Sequence, residues 1–545
     1  MNNKSLRKTL IATALLGMLS TSSFAANVPA GTELAKDQTL TFNNQAEPQT
    51  LDPQLNEGAY ANRILDDLLE GLVNVDGNGN PVPGVAKSWE ESKDGLTYTF
   101  HLRKDSKWSD GSPVTAKDFV YSWERLVDPK TGAPYAYYPQ MGNIVNAAQI
   151  VDGKMPASKL GVVAKDDYTL VVKLEKPTPF FIGMLSNACM FPVQKATVEK
   201  WGDKWTKPEH FVGNGAYKLS KHVVNEKIVS VRNPKYWDNK NTVINKVVYL
   251  VIPDRNQDLN RYKSGGEDIS AWQLPGGEVF KQIQANFGSQ LKITPFLSDE
   301  YALFNTKVAP FNNVKVRKAI SLVINKEALS KYVMGGATAP QYNFAPAGTA
   351  NFSPIKTPYQ TMTQEQRIAM ATKLLNEAGY NASNPLKFSI LYSTSDERKK
   401  EIEAVAAMIS QAVPFVKPSI EVQEWKTYLS TLHTNDWQMS RNGWVGDYND
   451  PMTFYGNLVS GSPSNYGSFS NKKYDDLIQA SYLEQDLNKR KKYFNQMQEI
   501  LSTEYPAVTW FQTKATTLVK PYVKGYPMNN ALNYVYSKDL YLVKH

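Results

Sequence analysis

"GLTYTFHLRKDSKWSDGSPVTAKDFVYSWERLVDP", residues 95–129, holds both periods of regular structure in one short run. Tyr98, Phe100 and Leu102 alternate as on a half-buried strand, and Asp110 and Gly111 supply a turn. Thr115 then opens a helix: its Thr-x-x-Asp spacing to Asp118 is a capping-box variant, Phe119, Trp123 and Leu126 form an apolar stripe, and Pro129 ends the element. The same alternation returns further along. "TMTQEQRIAMATKLLNEAGY" starts a helix at Thr363, places Ile368, Ala371, Leu374 and Leu375 on one face and stops at Gly379. A strand follows at Leu386, Phe388 and Ile390, then a helix from about Asp396, then a strand in "SIEVQEW". Strand-helix alternation through residues 300–510 predicts an α/β lobe.

A chain of 545 residues, 42% hydrophobic and 21% charged, buries a large core and is too long for a single one, so several domains are expected. No internal repeat, low-complexity tract or long Pro/Gly linker marks their boundaries. This fits lobes formed by a chain that crosses between them more than once. Residues 1–25 read as a secretory signal: Lys4, Arg7 and Lys8, the apolar run Leu10 to Leu19, then Ser23, Phe24 and Ala25 before cleavage. No other stretch approaches the roughly 20 apolar residues of a membrane span. The only cysteine, Cys189, is far from the processing site, so a free periplasmic protein is expected in place of a lipoprotein. In "SNACMFPV" it reads as a buried small hydrophobe more readily than as a reactive thiol. The net charge of +9 becomes +6 once the signal's Lys4, Arg7 and Lys8 leave (9 − 3). That charge is dispersed, without the basic block or aromatic interleaving of a nucleic-acid binder.

Catalytic signatures are absent from the sequence. None of the five histidines belongs to an H-E-x-x-H pair, and there is neither a G-x-S-x-G elbow nor a G-x-x-x-x-G-K-[ST] loop. "DGNGNP" at Asp76 opens like a calcium loop, but Pro81 and Lys87 occupy the positions where that loop needs glycine and glutamate, so a turn is expected. The pairs Asp66, Asp67 and Asp475, Asp476 read as solvated helix faces, because neighbours at i and i+1 do not face each other. No enzyme activity, cofactor or metal is expected.

Residues 47–129, "EPQTLDPQLNEGAYANRILDDLLEGLVNVDGNGNPVPGVAKSWEESKDGLTYTFHLRKDSKWSDGSPVTAKDFVYSWERLVDP", resemble the N-terminal signature of periplasmic solute-binding proteins of family 5, which serve peptide uptake. The resemblance continues through "VGNGAYKLSKHVVNEKIVSVRNPKYWDN", "PFNNVKVRKAISLVINKEAL", "GWVGDYNDPMTF" and the closing "LVKPYVKGY" and "YLVKH". It implies the type II periplasmic-binding-protein fold: two α/β lobes with a hinge plus an extra domain (cluster C). By analogy lobe I takes residues 26–69, 194–297 and 515–545, the extra domain 70–193 and lobe II 298–514. The implied function is a monomeric receptor that encloses short peptides in an extended conformation and delivers them to the permease and ATPase subunits of an inner-membrane ABC importer.

Peptides share an α-amine, an α-carboxylate and a backbone, so a broad receptor should hold those parts. By resemblance Asp447 pairs with the ligand's α-ammonium, while "YNDP" also permits a turn aspartate. Gly443 and Gly446 would leave room for a ligand backbone, with Trp444 and Val445 as wall and backbone partners. Glu57, Gly58 and Ala59 match a loop that pairs with the ligand. Tyr135 or Tyr138 matches a tyrosine reaching in from the extra domain, Trp425 a side-chain-pocket residue and Asn465 a backbone contact. For the aromatics core packing is the competing reading. Arg441 and Arg398 match positions that serve the ligand's carboxylate; Arg398, where the enteric pattern has histidine, also suits a helix-start surface position.

The chain departs from the enteric pattern at four positions: Ser298 and Val445 stand where that pattern has a cysteine pair, Leu432 where murein-peptide binders carry arginine, and Thr513 where a tyrosine is expected. A murein peptide, glutathione, haem or a metal chelate are the alternative ligands on this fold. An exported peptidase and a chaperone-like role are the rivals from other classes.

Overall fold

The computed structural model describes residues 26–545, apart from Glu57, Asn435 and Pro463 and the side chains of Asp396, Trp425 and Lys426. The signal segment and Glu57 therefore lie outside the described residues.

Three larger sheets organise the chain. Strands Thr39–Asn43, Lys246–Leu250, Lys227–Arg232 and Tyr217–Val223 lie in that order, the first pair parallel and the others antiparallel. Strands Ala86–Glu91, Thr97–Leu102, Thr169–Lys173 and Val162–Asp166 form an antiparallel sheet. Its second strand keeps the alternation read from the sequence, with Tyr98, Phe100 and Leu102 buried. The helix Ala116–Val127 packs on this sheet, its capping box closed by Thr115 and Asp118 and its buried stripe formed by Phe119, Trp123 and Leu126. The "DGNGNP" run is a hairpin turn in which Asp76 Oδ1 accepts from the backbone N–H groups of Asn78 and Asn80.

The third sheet has six strands, in the order Thr338–Pro340, Ala507–Thr513, Ser298–Phe304, Met439–Val445, Leu386–Ser393, Val416–Gln423. It is antiparallel over the first three pairings and parallel over the last two. Helices Gln364–Glu377 and Asp396–Ala412 belong to this part. The first is capped by Thr363 and followed by Gly379 at φ +90°, where a left-handed backbone requires it. A separate apolar core, from Ala302 to Phe511, fills this body. Ser298 and Val445 are cross-strand partners here, so the two positions that lack cysteines do face each other.

Two adjacent strands carry the chain into and out of the six-stranded body. Leu291–Thr294 immediately precedes it, Ala515–Leu518 immediately follows it, and the two pair antiparallel.

Cys189 is buried at 2% exposure in the larger core, and burial pushes its thiol well above the ordinary range. This matches its reading as an inert hydrophobe.

Candidate functional site

A cavity of about 1290 Å³, solvent at its mouth included, opens where these bodies meet. Its walls come from the helix Ala59–Leu68, the end of the strand Met439–Val445 with the following turn, Tyr135, Trp272 and the C-terminal segment around Tyr534.

Asp447 lies on this wall at 8% exposure. The Tyr135 hydroxyl donates to its Oδ1 at 3.0 Å, and its own backbone N–H donates to Thr453 Oγ1 at 3.0 Å. Its Oδ2 is buried and has no hydrogen-bond partner among the described residues. Burial pushes the carboxyl up to about 6, a rise that the bond from Tyr135 only partly opposes. A carboxylate oxygen left unpaired at this depth costs free energy, and a ligand cation would remove that cost. The turn role in "YNDP" falls to Asp450 instead, which accepts from Met452 N at 3.0 Å and from Arg490 Nη2 at 2.8 Å.

The strand Met439–Val445 also bears a free edge. Its pairing with Leu386–Ser393 stops at Ile390 with Met439 and Leu391 with Ser440, whereas Ser298–Phe304 pairs along its whole length. Among the described residues, no strand covers the second edge from Arg441 to Val445. An extended backbone can add there by strand pairing.

Gly443, Trp444, Val445 and Ala59 line the cavity, and Gly58 is the N-cap of the adjoining helix. A Cβ at Gly443 would stand 2.5 Å from Glu300 Oε2, and one at Gly446 would stand 3.2 Å from Phe454 and Thr453. The absent side chains therefore make space for the protein's own groups, while both glycines also line the cavity.

Five further expectations are corrected or bounded by the structure. Tyr138 is fully buried with its hydroxyl donating to Met184 O at 3.2 Å, so Tyr135 alone reaches the cavity. Asn465 spends its amide on its own loop, donating to Phe469 O at 2.8 Å and accepting from Phe469 N at 3.1 Å, because a buried amide must satisfy both ends. Arg441 sits between Glu300 at 2.5 Å, half-buried, and Glu401 at 3.3 Å, buried, so it already has carboxylate partners. Arg398 stands in the first turn of the helix Asp396–Ala412, half-buried, where it donates to Ser393 Oγ at 2.6 Å and lies near Glu300 and Glu401. Trp425 begins the helix Trp425–Leu432, and its side chain lies outside the described residues.

Sequence reasoning missed Arg63 and Asp66, which face the cavity from the helix Ala59–Leu68. Asp66 and Asp67 are buried at 8% and 1%, not solvated. Asp67 accepts from the Tyr249 hydroxyl at 2.6 Å and from Ser537 N at 3.0 Å. The available signal was the polar stripe Ala59, Asn62, Arg63, Asp66 opposite Ile64, Leu65 and Leu68, but a stripe facing a cavity and one facing bulk water read alike. Among the described residues no group of three or more His, Cys, Asp or Glu side chains is placed to hold a metal ion.

Sheet-centred α/β bodies linked by a paired two-strand crossing, with a charged cavity between them, define a solute-binding protein. The chain belongs to the bacterial extracellular solute-binding proteins, family 5, whose model for the middle part matches residues 80–466. It is 42% identical over 541 residues to the periplasmic oligopeptide-binding protein OppA of Salmonella typhimurium, covering 99% of each chain. The crystal structure of Haemophilus influenzae OppA in complex with RPPGFSPFR is 41% identical and superposes with a TM-score of 0.85, over 94% of this chain and all of that one. The murein tripeptide binding protein MppA of Escherichia coli, 41% identical, superposes at 0.87 with the same coverage.

Proposed function

We propose that this chain is a periplasmic, noncatalytic receptor that encloses a short peptide in an extended conformation between two lobes and hands it to an inner-membrane ABC permease and its ATPase. The observation that carries the reading is Asp447 Oδ2, a buried carboxylate oxygen without a partner beside the uncovered strand edge Arg441 to Val445. An α-ammonium satisfies the first and an extended backbone the second. Lobe I comprises residues 26–69, 194–297 and 515–545, the extra domain 70–193 and lobe II 298–514, with the ribbon of Leu291–Thr294 and Ala515–Leu518 as hinge. The protein acts as a monomer, delivered to the periplasm by cleavage after Ala25 and without a lipid anchor.

Native mass spectrometry of the purified protein, followed by denaturing release and sequencing of what it carries, tests the reading. A set of short peptides that is lost in Asp447→Ala supports it. A single nonpeptide species, or equal loading of the variant, rejects the peptide ligand, and cleavage of added peptide on long incubation rejects the noncatalytic role.

A further inference from the structure

Phe180 and Phe181 are neighbours in the chain with different partners. Phe181 packs into its own body, its ring 4.8 Å from that of Tyr98 on the strand Thr97–Leu102. Phe180 reaches the part of the chain that carries Asp447. It stacks on Tyr448 at 4.8 Å with 4° between the planes, meets Tyr482 at 5.7 Å, and lies under the Arg490 guanidinium, 5.3 Å from the ring centroid. Tyr482 and Arg490 belong to the helices Lys472–Leu483 and Leu487–Glu504. Phe180 and Tyr448 are both buried, at 6% and 0% exposure.

The segment before Phe180 is stiff and anchored on its own side. Pro177 and Pro179 flank Thr178, which is buried and whose hydroxyl accepts from Asn143 Nδ2 at 2.9 Å. The other contacts between the bodies are polar and wetter: Lys176 donates to Gln479 Oε1 at 2.9 Å in an exposed position, and Arg255 pairs with Glu397 while both are partly exposed. The buried apolar contact is therefore concentrated on one ring. The chain superposes on MppA with a TM-score of 0.87 and on the unliganded open form of that protein with 0.77, so the arrangement in which Phe180 is seated is the nearer to the first.

We propose that Phe180 is a clasp: the body of the second sheet holds the cavity shut by seating this ring between Tyr448 and Tyr482, and the seat sets how slowly a bound ligand leaves. The proposal rests on the reading of a receptor that closes between two lobes. An aromatic ring withdrawn from water into a stacked seat stabilises the closed arrangement only, because the seat is lost when the bodies part. Its effect therefore falls on dissociation and not on association. Tyr448 directly follows Asp447, so the clasp grips the same turn that presents the carboxylate.

Stopped-flow release of tetraalanine, followed by tryptophan fluorescence, and thermal unfolding with and without that peptide test the clasp. Phe180→Ala should speed release by roughly 10-fold or more and change association by less than about threefold, with Phe180→Leu in between. The melting temperature of the ligand-free protein should stay near that of wild type, while that of the tetraalanine-saturated protein falls. Unchanged release, an equal fall of both melting temperatures, or a variant that does not fold makes Phe180 an ordinary core residue and overturns the clasp. Maleimide labelling of Phe180→Cys reads the seat directly, since the one native thiol, Cys189, is buried. Protein stripped of ligand in denaturant and refolded should label at least about tenfold faster than the same protein with tetraalanine, and equal protection overturns the proposal. If tetraalanine does not bind wild type, the peptide reading falls separately: ready labelling of the stripped protein then supports the clasp, and its absence overturns that too.

Discussion

Asp447 is a carboxylate with one oxygen used and one idle, and its titration follows from that. The ionised form is the one that attracts an ammonium, and the free protein holds a proton up to about 6. Peptide affinity should therefore rise about tenfold between roughly pH 5 and pH 7, with the slope absent in Asp447→Asn; titration calorimetry across that range checks it. The same raised value acts on stability with the opposite sign. The folded state binds this proton more tightly than the unfolded state, so the group favours folding below its ordinary value of 3.8 and loses that contribution as pH rises through about 6. Removal of the carboxylate in Asp447→Ala should weaken binding by about two to three orders of magnitude, since breaking a buried charge pair costs roughly 3–5 kcal/mol. The aspartate and its tyrosine were legible in the sequence because resemblance preserved their neighbours. What the two glycines accommodate was not, since the residue that fills Gly443's space, Glu300, is distant in sequence.

Elements place these residues, and one buried pair holds the turn that presents Asp447. Asp450, three positions on, pairs with Arg490 on the helix Leu487–Glu504, whose side chain is fully buried. Asp450→Ala would leave that guanidinium uncompensated and should destabilise the protein by about 3–5 kcal/mol, read by urea denaturation; Asp450→Leu with Arg490→Met should recover most of the loss. Thr363→Ala removes the cap of the helix Gln364–Glu377, on the far body, and should cost about 1 kcal/mol in the same assay without changing peptide affinity. Capping boxes and apolar stripes are local, which is why both helices were readable from their own residues. The polar stripe of Ala59–Leu68 was readable as a stripe only, because its partner is a cavity assembled by other segments.

At the scale of the molecule, the bodies meet through contacts that no single segment contains. Arg255, on the helix Arg255–Lys263, pairs with Glu397 on the helix Asp396–Ala412, side chains 24% and 32% exposed. A partly exposed pair contributes up to about 1 kcal/mol, so Glu397→Ala should raise the dissociation constant for peptide by no more than about fivefold, chiefly through faster release in stopped-flow measurements. Tyr135 reaching Asp447, and Phe180 stacking on Tyr448 at 4.8 Å, join the second sheet's body to the ligand-side turn. Ligand closure and ligand recognition thus use neighbouring atoms.

By itself the sequence determined the α/β class, the strand-helix order of residues 363–423, the capped helix after Thr115, the inert Cys189 and the choice of Asp447 as the residue to watch. Each of these depends on period, on local capping or on a motif that travels as a unit. Only the tertiary structure decided that Asp66 and Asp67 are buried, that Tyr138 and Asn465 are structural, and that Arg441 is paired with Glu300 and Glu401. Burial and charge balance depend on which distant side chains share a low-dielectric space, and a linear pattern carries no record of that sharing.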